Sequence, residues 1–281
     1  MPSLANLKYY NAFLRNDESR RREFLANVTS GEVKMNSSVA YVHDMVYRIR
    51  EKGEYATMDA MYESYPKTTN KKNVLTLVDT SGSMQWANVQ GTKAQIWDVA
   101  VGMGILFAEQ NTGEYKDFCM VFAGNPVPHK FNSTDTLSEK VRSLPEIHQS
   151  NTDINKVFDY ILQAAKTTPE DTPATVLILS DMQFDSCMGD TSVSNFQHWK
   201  KQFEDAGLEL PQVVFWQLNA SNNNTPVTIN DAGVVLVGGY SPSILQSVLN
   251  LEIKDFNPYD AMVKVIKPMY QWVDKMFKVI D

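Results

Sequence analysis

Cysteine is nearly absent from this 281-residue chain, which has only Cys119 and Cys187. Two thiols cannot build a disulfide framework or a thiolate zinc site, so both are expected to be free. Long hydrophobic runs are lacking too. No stretch approaches the ~18 apolar residues that cross a bilayer, and the opening Met1-Pro2-Ser3-Leu4-Ala5-Asn6-Leu7-Lys8 does not have the basic-then-apolar order of a signal peptide. A cytoplasmic protein with no membrane partner is the expectation. Positive charge is in deficit, with 26 Lys and Arg against 33 Asp and Glu and a net charge of -7. That balance argues against a protein whose main task is to coat nucleic acid, because such work rests on neutralising phosphates. The four histidines are scattered with no ligand spacing, and neither a Gly-x-Gly-x-x-Gly loop nor a phosphate-binding Lys loop occurs.

What is present is enough apolar content, 43%, to bury a full core. Residues 1–70 read as a helical N-terminal extension, with apolar residues at helical spacing over 4–14, 18–28 and 39–50. From residue 73 short apolar runs alternate with helical stretches. Strands are expected at 73–78, 118–123, 129–131, 174–180, 212–216 and 233–237, and helices at 94–110, 137–143, 154–166, 196–206 and 243–249. The run Asn73-Val74-Leu75-Thr76-Leu77-Val78 is apolar on both faces, as a central strand of a covered sheet must be. No crossover helix fits between 118–123 and 129–131, so those strands should form an antiparallel hairpin at the sheet edge. The expected fold class is α/β: a doubly wound, mostly parallel central sheet with one antiparallel edge strand and helices on both faces, preceded by a short helical segment. Residues 71–252 make that domain, and 253–281 form a C-terminal amphipathic helix interrupted by Pro268.

In such a sheet, ligands bind beyond the carboxyl ends of the strands. Asp79 ends its strand and is followed by Thr80-Ser81-Gly82-Ser83. One carboxylate and two alternate hydroxyls around a glycine give three oxygens that a tight turn can aim at one point, which suits a hard divalent cation. A helix cap would use the same residue types. Two further segments converge on the same rim: Asp181 follows the strand at 174–180, and Ser150-Asn151-Thr152-Asp153 precedes a helix, with Thr152 as a further hydroxyl and Asp153 as a cap or rim acid. Asp185 stands in the loop of Asp181, and Met84 and Trp86 follow the serines. Each of these three is a rim candidate as well as an ordinary packing or surface residue.

The set Asp79-x-Ser81-x-Ser83, Thr152 and Asp181 resembles, in order and strand placement, the metal-ion-dependent adhesion site of von Willebrand A domains. That resemblance implies a Rossmann-like A-domain fold and a magnesium ion, with manganese or calcium as alternatives. Ser81, Ser83 and Thr152 would be hydroxyl ligands, Asp79 and Asp181 charge-bearing ligands in direct or water-mediated contact, and an open position would accept a carboxylate from a partner. More narrowly, Thr76-Leu77-Val78-Asp79-Thr80-Ser81-Gly82-Ser83-Met84, Ser180-Asp181-Met182-Gln183-Phe184-Asp185 and Gly238-Gly239-Tyr240-Ser241-Pro242 resemble intracellular A domains. These are the domains of Ro-type ribonucleoproteins and of a related family in plants, large DNA viruses and phages.

The expected function is therefore a non-enzymatic, divalent-metal-dependent module that binds a protein partner presenting Asp or Glu. A Ro-like ribonucleoprotein component is the alternative, with Arg20, Arg21 and Arg22 touching RNA, although the net charge does not favour it. A metal-dependent phosphohydrolase is the second alternative, and no general base or nucleophile accompanies the acids to support it.

Overall fold

Strand β1 (Val74–Asp79) is buried along its whole length, so both of its faces must be covered. The computed structural model describes residues 3–35, 40–65, 73–89, 92–145, 153–184, 195–219 and 234–239, and β1 lies near the centre of a six-stranded sheet. The order is β3-β2-β1-β4-β5-β6, with β2 (Phe118–Phe122), β3 (Pro126–Lys130), β4 (Thr175–Ser180), β5 (Gln212–Gln217) and β6 (Val234–Gly238). All pairings are parallel except β2 with β3. This is the fold class expected from the sequence. Chain order reverses between β1 and β4, so the switch point where doubly wound sheets bind ligands lies between the ends of those two strands.

One face of the sheet, through Leu75, Leu77, Val176 and Ile178, packs on α7 (Ile154–Thr167) and α8 (Asn195–Asp205). Phe158 stacks on Trp199 there at 3.7 Å. The other face packs on α5 (Ile96–Gln110), which is buried on nearly all sides because α3 (Val42–Lys52) covers its outer surface. Two glycines permit this sandwich. A Cβ on Gly102 would lie 3.1 Å from Val42 and 3.3 Å from Val46 of α3, and one on Gly104 would fall on Cγ2 of Val78 in β1. Gly104→Ala is thus expected to destabilise the fold by about 1–3 kcal/mol through overpacking. The ~1 kcal/mol gained in helix propensity offsets part of that cost, so urea denaturation is expected to show a net loss of up to about 2 kcal/mol.

Helices α1 (Ser3–Asn16), α2 (Glu18–Thr29), α3 and α4 (Tyr55–Glu63) belong to the same compact unit as the sheet, Met1–Gly239. Helix α4 was not legible in the sequence. Its buried residues include Thr57, Met58, Ala60, Met61 and Tyr62, so its apolar pattern has no single-face period. Strand β3 begins three residues earlier than expected and contains Pro126 and Pro128, which an edge strand tolerates. The second unit, Tyr240–Asp281, lies outside the described residues, and with it the expected helix at 253–281. Among the described residues no helix is long and apolar enough to cross a membrane.

Candidate metal site at the strand ends

Asp79 is fully buried at the carboxyl end of β1, and hydrogen bonds to both of its oxygens fix the turn that follows. The Ser81 amide donates to Oδ1 at 2.9 Å, and the Ser180 hydroxyl at the end of β4 donates to Oδ2 at 2.5 Å. Ser81 and Ser83 then face each other, hydroxyl to hydroxyl, at 3.1 Å. The Ser83 hydroxyl is near enough to the carboxylate of Asp181 to favour its ionised form, and among the described residues no hydrogen bond is made to the buried Asp181 Oδ2. Two carboxylates and two hydroxyls are therefore gathered across the switch point.

The turn after β4 is equally constrained. The Met182 amide donates to the Ser180 hydroxyl at 3.0 Å, and the Gln183 amide donates to Asp181 Oδ1 at 3.2 Å. Met182 itself has a φ of +64°. A left-handed non-glycine residue costs roughly 1 kcal/mol and persists where its surroundings enforce it, a pattern that concentrates at functional sites.

Burial is the largest influence on Asp79, pushing its carboxyl up from the ordinary 3.8 to about 6. The hydrogen bonds from Ser180 and Ser81 oppose that rise, and the nearby Asp181 charge adds to it. No cation is among the groups that shift it. Asp181 is raised too, chiefly by burial, with the Gln183 amide and the nearby Ser83 hydroxyl in opposition. Two ionised acids gathered in a poorly hydrated cluster repel each other and are under-solvated. A divalent cation would relieve both penalties. The donor set, carboxylate and hydroxyl oxygen with neither nitrogen nor sulfur, fits magnesium, manganese or calcium. Among the described residues no group of three or more His, Cys, Asp and Glu could hold a metal, so the serine oxygens are essential to this fit.

The other candidates divide. Thr152 and Asp185 lie outside the described residues. Asp153 caps α7 by accepting from the Asn155 amide at 3.2 Å, the capping role expected of it. Met84 is completely buried, so packing excludes it from the rim. Trp86, by contrast, is 88% exposed beside the serine turn. Of the three arginines, Arg21 is buried, with its guanidinium donating to Asn6 at 2.8 Å, and Arg22 pairs with Glu18. Arg21 therefore does not share a surface with Arg20 and is corrected from RNA contact to helix-packing residue.

Sequence reading missed Ser180. Its signal was the Ser-Asp pair closing an apolar strand, in which only the acid was read.

Comparison with known proteins supplies a family and a fold. The model of a family described as a domain of unknown function (DUF7788) matches residues 73–270. An uncharacterized protein of Acanthamoeba polyphaga mimivirus is 29% identical over 95% of this chain and 49% of its own length. The crystal structure of the Deinococcus radiodurans Ro (RSR) protein is similar in fold, with a TM-score of 0.56 at 16% identity, over 88% of this chain and 52% of that one. The chain spans about half the length of both.

Proposed function

The chain belongs to the DUF7788 family, and we propose that it is a non-enzymatic, divalent-metal-dependent module that docks an acidic side chain of a protein partner. The gathering of Asp79, Ser81, Ser83 and Asp181 at the switch point carries this reading. These four residues, joined by Thr152, would hold magnesium or a similar hard cation. When bound, the ion supplies local positive charge and an open coordination position on an otherwise acidic protein.

This chain's own residues set the rest. Ser180 and the Ser81 amide hold the Asp79 carboxylate in place. The Asp181 turn brings the second acid within reach of Ser83. Trp86 offers an exposed indole on which an apolar residue flanking the partner's acid can rest, since exposed aromatic anchors are favoured at binding hot spots. The reading of the domain as von Willebrand A-like, with a helical segment built onto it, is part of the same proposal.

The test is a pull-down in magnesium compared between wild type and Ser81→Ala/Ser83→Ala, repeated in EDTA. The expected result is a protein partner set lost in the double variant and in chelator. An identical set in all three would sink the metal bridge, and RNA recovered with steep salt dependence would favour the ribonucleoprotein alternative. Trp86→Ala should leave stability within about 0.5 kcal/mol of wild type while weakening capture of the same partner.

A further inference from the structure

A cavity adjoins the acid cluster. It has a volume of about 360 Å³ and opens beside the serine turn, walled by Thr80 and Gln85 of that turn, by Arg50 and Tyr55 of the N-terminal helices, by Gln95 at the start of α5 and by Arg142 of α6 (Leu137–Ser143). Thr80 sits between Asp79 and Ser81, so the cavity and the acid cluster share one stretch of backbone.

The two guanidiniums in this wall are held in different ways. Arg50 lies 5.6 Å from the centre of the Trp97 ring and is neutralised by Asp98, bonded to both carboxylate oxygens at 3.0 Å, and by Glu51 at 2.6 Å. Arg142 lies 4.9 Å from the centre of the Tyr55 ring, and its Nε donates to the Ser138 carbonyl at 3.1 Å. Among the described residues no carboxylate makes a close ion pair with Arg142, although the charge of Arg142 reaches Glu139, one turn earlier on the same helix. It is an exposed cation held by a ring and a backbone bond, and among the described residues its terminal amino groups make no hydrogen bond. A guanidinium so positioned matches a carboxylate through two parallel hydrogen bonds. One cation without a close ion pair suits one carboxylate, whereas a phosphodiester strand requires a track of them. Gln85 and Gln95 add neutral donors and acceptors suited to the amides of an extended peptide.

Building on the docking function proposed above, we infer that this cavity takes a second carboxylate of the same acidic peptide segment, bound by Arg142 against Tyr55. The preferred partner would then present two acids in one extended segment, one for the metal and one for Arg142.

The test measures fluorescence polarisation of labelled hexaglutamate with the full chain in magnesium, for wild type, Arg142→Gln and Ser81→Ala/Ser83→Ala. Wild type is expected to bind only with magnesium. Arg142→Gln is expected to bind about tenfold more weakly, with an unchanged melting temperature and an unchanged magnesium-induced thermal shift, and the double serine variant is expected not to bind. Equal affinity in wild type and Arg142→Gln would overturn the second pocket and leave metal docking standing. No magnesium-dependent binding in wild type would overturn both. Binding of hexauridylate but not hexaglutamate, lost in Arg142→Gln, would make the occupant nucleic acid and overturn the inference.

Discussion

Asp79→Asn is expected to make the metal-free protein more stable at pH 7 while abolishing its response to divalent metal. The two effects share one cause. Asp79 is buried, and its rise from 3.8 to about 6 corresponds to about 3 kcal/mol of unfavourable free energy for holding the ionised form inside the fold. The neutral amide removes that penalty and keeps an oxygen for the Ser81 amide, while the Ser180 hydroxyl can turn to accept from its nitrogen.

The sign with pH follows from the folded value lying above the unfolded one. Above about 6 the acid is ionised in both states and wild type bears the full penalty. As pH falls from 6 towards 4 the folded state takes up the proton first, and the metal-free wild type gains stability. The advantage of Asp79→Asn is therefore several degrees in melting temperature at pH 7 and vanishes near pH 4. The proton also competes with metal, so magnesium affinity in wild type should fall about tenfold for each pH unit below about 6. Thermal melts of both proteins from pH 4 to 8, with and without magnesium, check all of this. A less stable, metal-responsive Asp79→Asn would show that the acid serves the fold and not an ion.

Glu109→Ala is expected to destabilise the protein by about 3–5 kcal/mol, because it strands a buried ammonium without its partner. Lys140 of α6 lies 2.6 Å from Glu109 of α5, and both side chains are more than nine-tenths buried. The Tyr62 hydroxyl of α4 donates to the other Glu109 oxygen at 3.0 Å. This junction ties the N-terminal helices to the helix that covers the sheet. Replacing the pair together, as Glu109→Leu/Lys140→Met, should recover most of the loss, since well-packed apolar groups often substitute for a buried ion pair without penalty. Urea denaturation of the single and double variants gives the comparison. A loss below about 1 kcal/mol for Glu109→Ala would mean that the junction contributes little.

The sheet was legible because its strands are short apolar runs set between helical stretches, and because β1 and β4 are apolar on both faces. The turn after β1 was legible because its oxygens lie within five residues of one another. Pieces that depend on distant packing were not. The apolar residues of α4 are contacted from several sides and so show no stripe. Met84 and Trp86 stand two residues apart in the same turn, yet one is fully buried and the other exposed, a distinction that only the three-dimensional path of the 3-10 turn makes. Arg21 looks like part of a basic run until Asn6, fifteen residues earlier, is seen to receive it.

The central claim is that Asp79, Ser81, Ser83 and Asp181 hold a divalent cation. Isothermal titration of magnesium into wild type and Ser81→Ala/Ser83→Ala tests it most directly. One bound ion per chain in wild type, with binding lost in the double variant, is the predicted result. No binding in wild type, or the same binding in both proteins, would contradict it.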